Sequence, residues 1–370
     1  MPALQIHSFD DWIREFQGWQ KDIGFDSSLV GDFKFETKFA DEDAKVIEFG
    51  DYAGDPKWEN YNQIPNQQVR DALQHLIVFQ GDTEFASVEQ QKHLLKTAPT
   101  EYDLKSALRI MSEEMRHGWQ MCHLLVNFFG NSGKIEAQKQ LQRRATENTR
   151  LLGAFNQPVR HWLDFFTYTE FVDRDGKYQL TMLSHSAFAP LARSMGPMLK
   201  EESFHLGTGH TGLKRILQAG KVPTPILQKW FNKWVPTAFD LFGTDSSGSA
   251  NWAYVWGLKC RYNEFDNPGP LDKEHLNEAS RELYRKECLG LVENLNAVRR
   301  KDQPALVLPD LKFNRAIGNH KGEHWTIDGS RRLSDREWAD YEAQHLPTPE
   351  DEARVQEIFK EKNWIAPRGG

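Results

Sequence analysis

The sequence predicts an all-α chain: a four-helix bundle core, extra helices around it and an irregular C-terminal extension. Three observations predict it. Between about Pro65 and Leu217 apolar residues recur at a helical period, broken only at Ala98-Pro99, Gly130-Asn131-Ser132-Gly133, Asp173-Arg174-Asp175-Gly176 and Pro190. The best strand-like run, Val46-Ile47-Glu48-Phe49, is short. Two Glu-x-x-His spacings place paired polar groups on apolar helix faces.

The elements follow in order. Ser8 with Asp11 caps a short helix carrying Trp12, Phe16 and Trp19. A helix is expected over 66–96, then one over 101–129 after the Ala98-Pro99 break, ended by the Gly130 to Gly133 run. A polar helix over 134–148 comes next, then an aromatic segment from Trp162 to Val172. Asp173-Arg174-Asp175-Gly176 reads as a turn before a shorter helix. Pro190 opens a helix reaching Leu217. Further helices surround Trp230, Trp234 and the 273–300 stretch, interrupted by a flexible loop from Gly243 to Ser249. The last 70 residues are polar and proline-containing, and read as an extended tail anchored by Trp325, Trp338 and Trp364. Three segments are expected: an N-terminal helical segment over 1–60, a helical bundle over 61–300 and a wrapping segment over 301–370.

Composition narrows the function. The chain has 370 residues, 39% hydrophobic and 12% aromatic, enough for a substantial core, so a disordered or rod-like protein is excluded. The net charge of −7 argues against a nucleic-acid partner, because neutralising phosphates needs a basic surface. No apolar run approaches the roughly 20 residues of a membrane span. Met1 to His7 lacks the basic-then-apolar pattern of a secretory signal, and the three cysteines have no paired spacing. A cytoplasmic protein without a membrane partner is expected.

Glu-x-x-His occurs three times, at Glu114/His117, Glu202/His205 and Glu342/His345; chance alone predicts roughly one occurrence in a chain of this composition. Context separates them. Glu114 shares a stripe with Met111, Gly118, Met121 and Leu125, and Glu202 shares one with Met195, Met198, Leu206 and Leu213. A carboxylate on an apolar stripe must be neutral, ion-paired or bound to a metal. Glu342/His345 lies among polar residues and is the chance match. Residues equidistant from a helical hairpin's turn share one height. Glu84 and Glu114 centre on Pro99, so they should face each other. Asp173 and Glu202 centre between Ala187 and Phe188, and Glu170 and Glu202 on Ser186, so spacing leaves Asp173 and Glu170 both open. One carboxylate from each of two helices and a Glu-x-x-His from each of two others is the ligand set of a carboxylate-bridged two-metal site. Such oxygen and imidazole donors suit iron or manganese.

These residues resemble a known family. The run Phe79-Gln80-Gly81-Asp82-Thr83-Glu84-Phe85-Ala86-Ser87-Val88-Glu89-Gln90-Gln91 is similar to the first ligand helix of benzoyl-CoA epoxidase oxygenase subunits. So are Glu113-Glu114-x-x-His117, Asp173-Arg174-Asp175-Gly176-Lys177, Glu201-Glu202-x-x-His205 with Gly212, Leu151 to Asn156, and Leu241-Phe242-Gly243. Phenylacetyl-CoA epoxidases share the ligand pattern. The resemblance implies a ferritin-like fold and two iron ions held by Glu84, Glu114, His117, Asp173, Glu202 and His205, with Asp173 taken over Glu170. It implies O₂-dependent epoxidation of an aromatic acyl-CoA in aerobic aromatic degradation. The alternative is a di-iron oxygenase or hydroxylase acting on another aromatic acid, an amine or a carrier-bound acyl group. No flavin or nicotinamide fingerprint is present, so electrons are expected from a separate NADPH-dependent reductase, with the oxygenase a monomer or homodimer.

Other positions carry two readings each. Gln80, one turn before Glu84, either donates to a bound oxygen species or orients Glu84. Glu113 and Glu201 are proton relays, or else solvated surface residues or paired supports of the ligands. Gly209 and Gly212 make room for substrate or permit close helix packing. Cys122 reads as a small buried residue, His123 as a surface residue and His210 as structural, and His185 is unassigned. Arg143, Arg144 and Arg299-Arg300-Lys301 read as solvated helix charges, with coenzyme A phosphates as the other reading.

Overall fold

The computed structural model describes residues 6–41, 44–244, 246–266 and 275–368. Its helices are α1 (Phe9–Asp22), α2 (Gln67–Gln91), α3 (Glu101–Phe128), α4 (Gly130–Gln142), α5 (Trp162–Leu183), α6 (Ala189–Ala219), α7 (Thr224–Leu241), α8 (Gly248–Val255), α9 (Leu276–Val298), α10 (Asp335–His345) and α11 (Pro349–Phe359). Among the described residues the only named strands are β1 (His324–Trp325) and β2 (Arg332–Leu333), which pair antiparallel. The architecture is all-α and consistent with the ferritin-like class. No helix among the described residues is long and apolar enough to cross a membrane.

The chain divides into two compact units. The first comprises 1–160, 179–201 and 248–273; the second comprises 161–178, 202–247 and 274–370.

In the first unit, side-chain caps set the helix starts. Ser8 and Asp11 form a reciprocal capping box on α1, Asn66 accepts from the Val69 amide, and Thr100 accepts from the Asp103 amide. Gly130, at φ +56°, lets α3 end and α4 begin at once. Close approach of α2 and α3 depends on glycine: a Cβ on Gly118 would lie 2.5 Å from the Phe85 ring. Trp12, Phe16 and Trp19 of α1 pack on Phe85 and Trp119. Beneath them Arg150, fully buried, bonds Asp82 (3.1 Å) and Glu89 (2.7 Å) of α2.

The second unit uses the same device. A Cβ on Gly212 would meet Phe166 Cδ1 at 2.2 Å, and one on Gly209 would meet the Glu170 backbone nitrogen at 2.7 Å. Both glycines therefore serve close packing of α6 on α5 rather than space for a substrate. Gly212→Ala should destabilise the protein by about 1–3 kcal/mol, the usual cost of overpacking a filled core; a denaturation midpoint equal to wild type would refute this. On α7, Trp234 donates to Asp164, which also accepts from Lys233.

Three local expectations are corrected. Asp173 to Gly176 is not a turn, since α5 runs through it unbroken. Its composition is turn-like, but Arg174 folds back on the Glu170 carbonyl (2.9 Å) and carboxylate (3.2 Å) and supports the helix. The polar helix ends at Gln142 rather than 148. Arg143 is extended there, with its guanidinium on Asp82 and Glu136. The tail is not simply extended. Capping boxes Ser334/Glu337 and Thr348/Asp351 start α10 and α11, and Phe313, Leu333 and Trp338 form a small core. Residues 273 and 274 of the expected 273–300 helix, and 245 of the expected loop, lie outside the described residues.

Candidate metal centre

The first set of donors belongs to the first unit. Ligand-capable atoms of Glu84 on α2 and of Glu114 and His117 on α3 lie within 4.8 Å of one another, and all three residues are buried. Helical spacing puts Glu114 and His117 on one face, and the Gly118–Phe85 contact brings α2 close enough for Glu84 to join them. His117 Nδ1 lies 3.3 Å from Glu84 Oε2. Burial alone would raise the Glu84 carboxyl pKa, but the hydrogen bond and charge of His117 hold it below its ordinary value. Burial likewise works against a charged His117, but bonds from Glu201 and Glu84 raise its proton affinity.

His117 is held from behind. Its Nε2 lies 2.8 Å from Glu201 Oε2. Glu201 also accepts from Arg116 Nε and Nη2, and from Lys38 Nζ at 3.2 Å. Burial would raise the Glu201 carboxyl, yet His117 and Arg116 bring it down to about 2. A carboxylate thus faces each ring nitrogen; with a cation on the Glu84 side, the Glu201 bond would keep the proton on Nε2 and turn the Nδ1 lone pair to that cation. Of its readings, Glu201 is thus the paired support. Glu113 pairs with Arg109 at 2.9 Å. Gln80 Nε2 donates to Glu84 Oε1 at 2.6 Å, the geometry of an orienting contact.

The second set belongs to the second unit. Asp173 on α5 and Glu202 and His205 on α6 offer ligand atoms within 4.8 Å of one another. His205 Nδ1 lies 3.4 Å from Glu202 Oε2 and 3.6 Å from Asp173 Oδ2. Asp173 is half-buried, and the other two are buried. Glu170, the other candidate, accepts instead from Arg174 (3.2 Å) and pairs with His210 (2.9 Å).

Both sets therefore present two carboxylates to an imidazole Nδ1. Carboxylates brought together away from water repel unless a proton or cation lies between them. Oxygen with imidazole nitrogen is the donor chemistry of divalent first-row metals, so these buried groups can hold a metal.

The remaining candidates have other partners. His345 ends α10 and stacks on Tyr341, outside the potential metal groups found among the described residues. His185 pairs with Glu48. Burial pushes the Cys122 thiol well above its usual range and His123 down to about 4. Arg144 bonds the Leu141 carbonyl, and Arg300 pairs with Asp302. Sequence reasoning missed Lys38 and Arg150, whose partners are distant in the chain and leave no periodic signal.

Residues 58–263 match the phenylacetic acid catabolic protein family. The chain belongs to that family. It is 34% identical to benzoyl-CoA oxygenase component B of Aromatoleum evansii, over 95% of this chain and 84% of that one. It is 24% identical to one of the subunits of 1,2-phenylacetyl-CoA epoxidase from Escherichia coli (strain K12), over 54% of this chain and 65% of that one.

Proposed function

We propose that this family member is the oxygenase component of an aromatic acyl-CoA epoxidase, acting on a benzoyl-CoA-like thioester with O₂ and electrons from a separate NADPH-dependent reductase in the cytoplasm. The observation that carries this reading is the 34% identity, spread over 95% of the chain, to a benzoyl-CoA oxygenase component. The donor chemistry supports it, and so do three cysteines that are free and buried, as a reducing compartment allows.

In this reading Glu84, Glu114 and His117 of the first unit and Asp173, Glu202 and His205 of the second are the ligands of two iron ions. Four carboxylates balance two ferrous charges. The chemistry that such a pair supplies when bound is reductive activation of O₂. The chain's own residues do the rest. Glu201 fixes the His117 tautomer, so that Nδ1 stays available to a metal. Gln80 holds one Glu84 oxygen and leaves the other toward His117. The apolar stripes that carry the ligands keep water out, and a dry site strengthens each charge interaction in it.

The decisive experiment is turnover by the purified protein with reductase, O₂ and a panel of CoA thioesters and free acids, followed by product mass. One oxygen atom added to a thioester ring is expected. Turnover of the free acids alone would overturn the thioester assignment. Gln80→Leu should keep the fold and lower metal affinity or turnover by about 10- to 100-fold, as loss of a ligand-orienting bond does. Wild-type values in both assays would remove Gln80 from the site.

A further inference from the structure

A segment over 33–41 without regular secondary structure, outside the residues matched to the family, lies against α3 and the part of α6 in the first unit. Phe35 stacks on Trp119 at 5.9 Å. The Lys38 amide donates to Gln120 Oε1 at 2.8 Å, and Gln120 in turn donates to Ser194 at 2.9 Å. The Ala40 amide donates to the Arg193 carbonyl at 2.8 Å. None of these contacts uses the Lys38 ammonium. That group reaches Glu201 Oε1, on the carboxylate that holds His117.

We propose that this strap is a working part of the metal centre, with Lys38 a positioning residue that acts through Glu201 to keep His117 in its metal-binding orientation. The inference rests on reading Glu84, Glu114 and His117 as metal ligands. Arg116 Nε lies almost equally close to both Glu201 oxygens, at 3.1 and 3.0 Å, and its Nη2 bonds Oε2, the oxygen that also faces His117, so Oε1 is the oxygen on which a second cation can hold the carboxylate's turn. Lys38 takes Oε1 and leaves Oε2 to His117 Nε2. It sets a second cationic group on the carboxylate that His117 leans on, from the side of the strap. The Arg116 side chain is wholly buried, whereas that of Lys38 is 37% exposed. An ordinary ion pair this exposed contributes little to stability. The strap keeps its ring and backbone contacts without the ammonium, so Lys38 can change the centre without being needed to fold the chain.

The test is anaerobic Co(II) titration of the full-length protein, read by metal stoichiometry and visible ligand-field absorption, with thermal midpoints alongside. Wild type should take two metals per chain. Lys38→Met should bind one of them about 10-fold more weakly, with a shifted absorption band and a wild-type midpoint, and Lys38→Arg should restore both readings. In a Glu201→Gln background, Lys38→Met should add nothing, because the route between them is already cut. Wild-type affinity and spectrum in Lys38→Met would overturn the inference while leaving the metal reading intact. A lowered midpoint with an unchanged spectrum would make Lys38 purely structural and overturn it too. A wild-type chain that binds no metal would overturn both readings together.

Discussion

His117→Ala is expected to cut turnover by about a thousandfold or more, the several kcal/mol that a correctly held metal contributes to a barrier. Metal content should fall from two ions per chain to one or fewer. His117 Nδ1 and a Glu84 oxygen lie 3.3 Å apart, so loss of the imidazole leaves Glu84 and Glu114 buried without their nitrogen partner. It also strips Glu201 of the His117 bond while Arg116 and Lys38 remain. His205→Ala should give the same loss through the second set, where Nδ1 faces Asp173 and Glu202. Metal analysis and steady-state rates check both variants. Two metals and near-normal turnover in His117→Ala would remove this residue from the ligand set.

Arg150→Ala should produce the largest loss of stability, about 3–5 kcal/mol, because it leaves partners of a buried ion pair unmatched. Its guanidinium bridges Asp82 and Glu89 and also donates to the Gln140 carbonyl at 3.0 Å. Asp82 would keep the Leu151 amide and the longer Arg143 contact at 3.5 Å, and Glu89 would keep Trp19, the Ala145 amide and Arg144 at 3.9 Å, but both would lose their fully buried cation. Arg150→Lys should recover only part of the loss, since an ammonium cannot serve two carboxylates and a carbonyl with the same fork. Chemical denaturation measures it. A change under about 1 kcal/mol would place Arg150 among the exposed ion pairs that contribute little.

These residues also show what could be read in advance. Glu114/His117 and Glu202/His205 were legible because a helix makes residues three apart neighbours. The long helices were legible from their apolar period and their Pro and Gly breaks. Asp173 to Gly176 was misread because three turn-forming residues among four outweighed the helical period. In the folded chain, Arg174 answers Glu170 and the helix continues. Gly209 and Gly212 could not be settled in advance, because an absent side chain suits either a cavity or a close contact; the Phe166 ring and the Glu170 backbone decide for contact.

What the linear order of residues determined is whatever depends on neighbours along a helix: the all-α class, the capping boxes and two metal-binding spacings on apolar faces. What only the tertiary structure decided depends on groups far apart in the chain. It paired Glu170 with His210, placed Glu201 behind His117, and brought Lys38 and Arg150 to carboxylates 163 and 68 positions away. Ion pairs across such distances follow no period. They form where packing brings opposite charges from distant segments together, wholly or partly out of water.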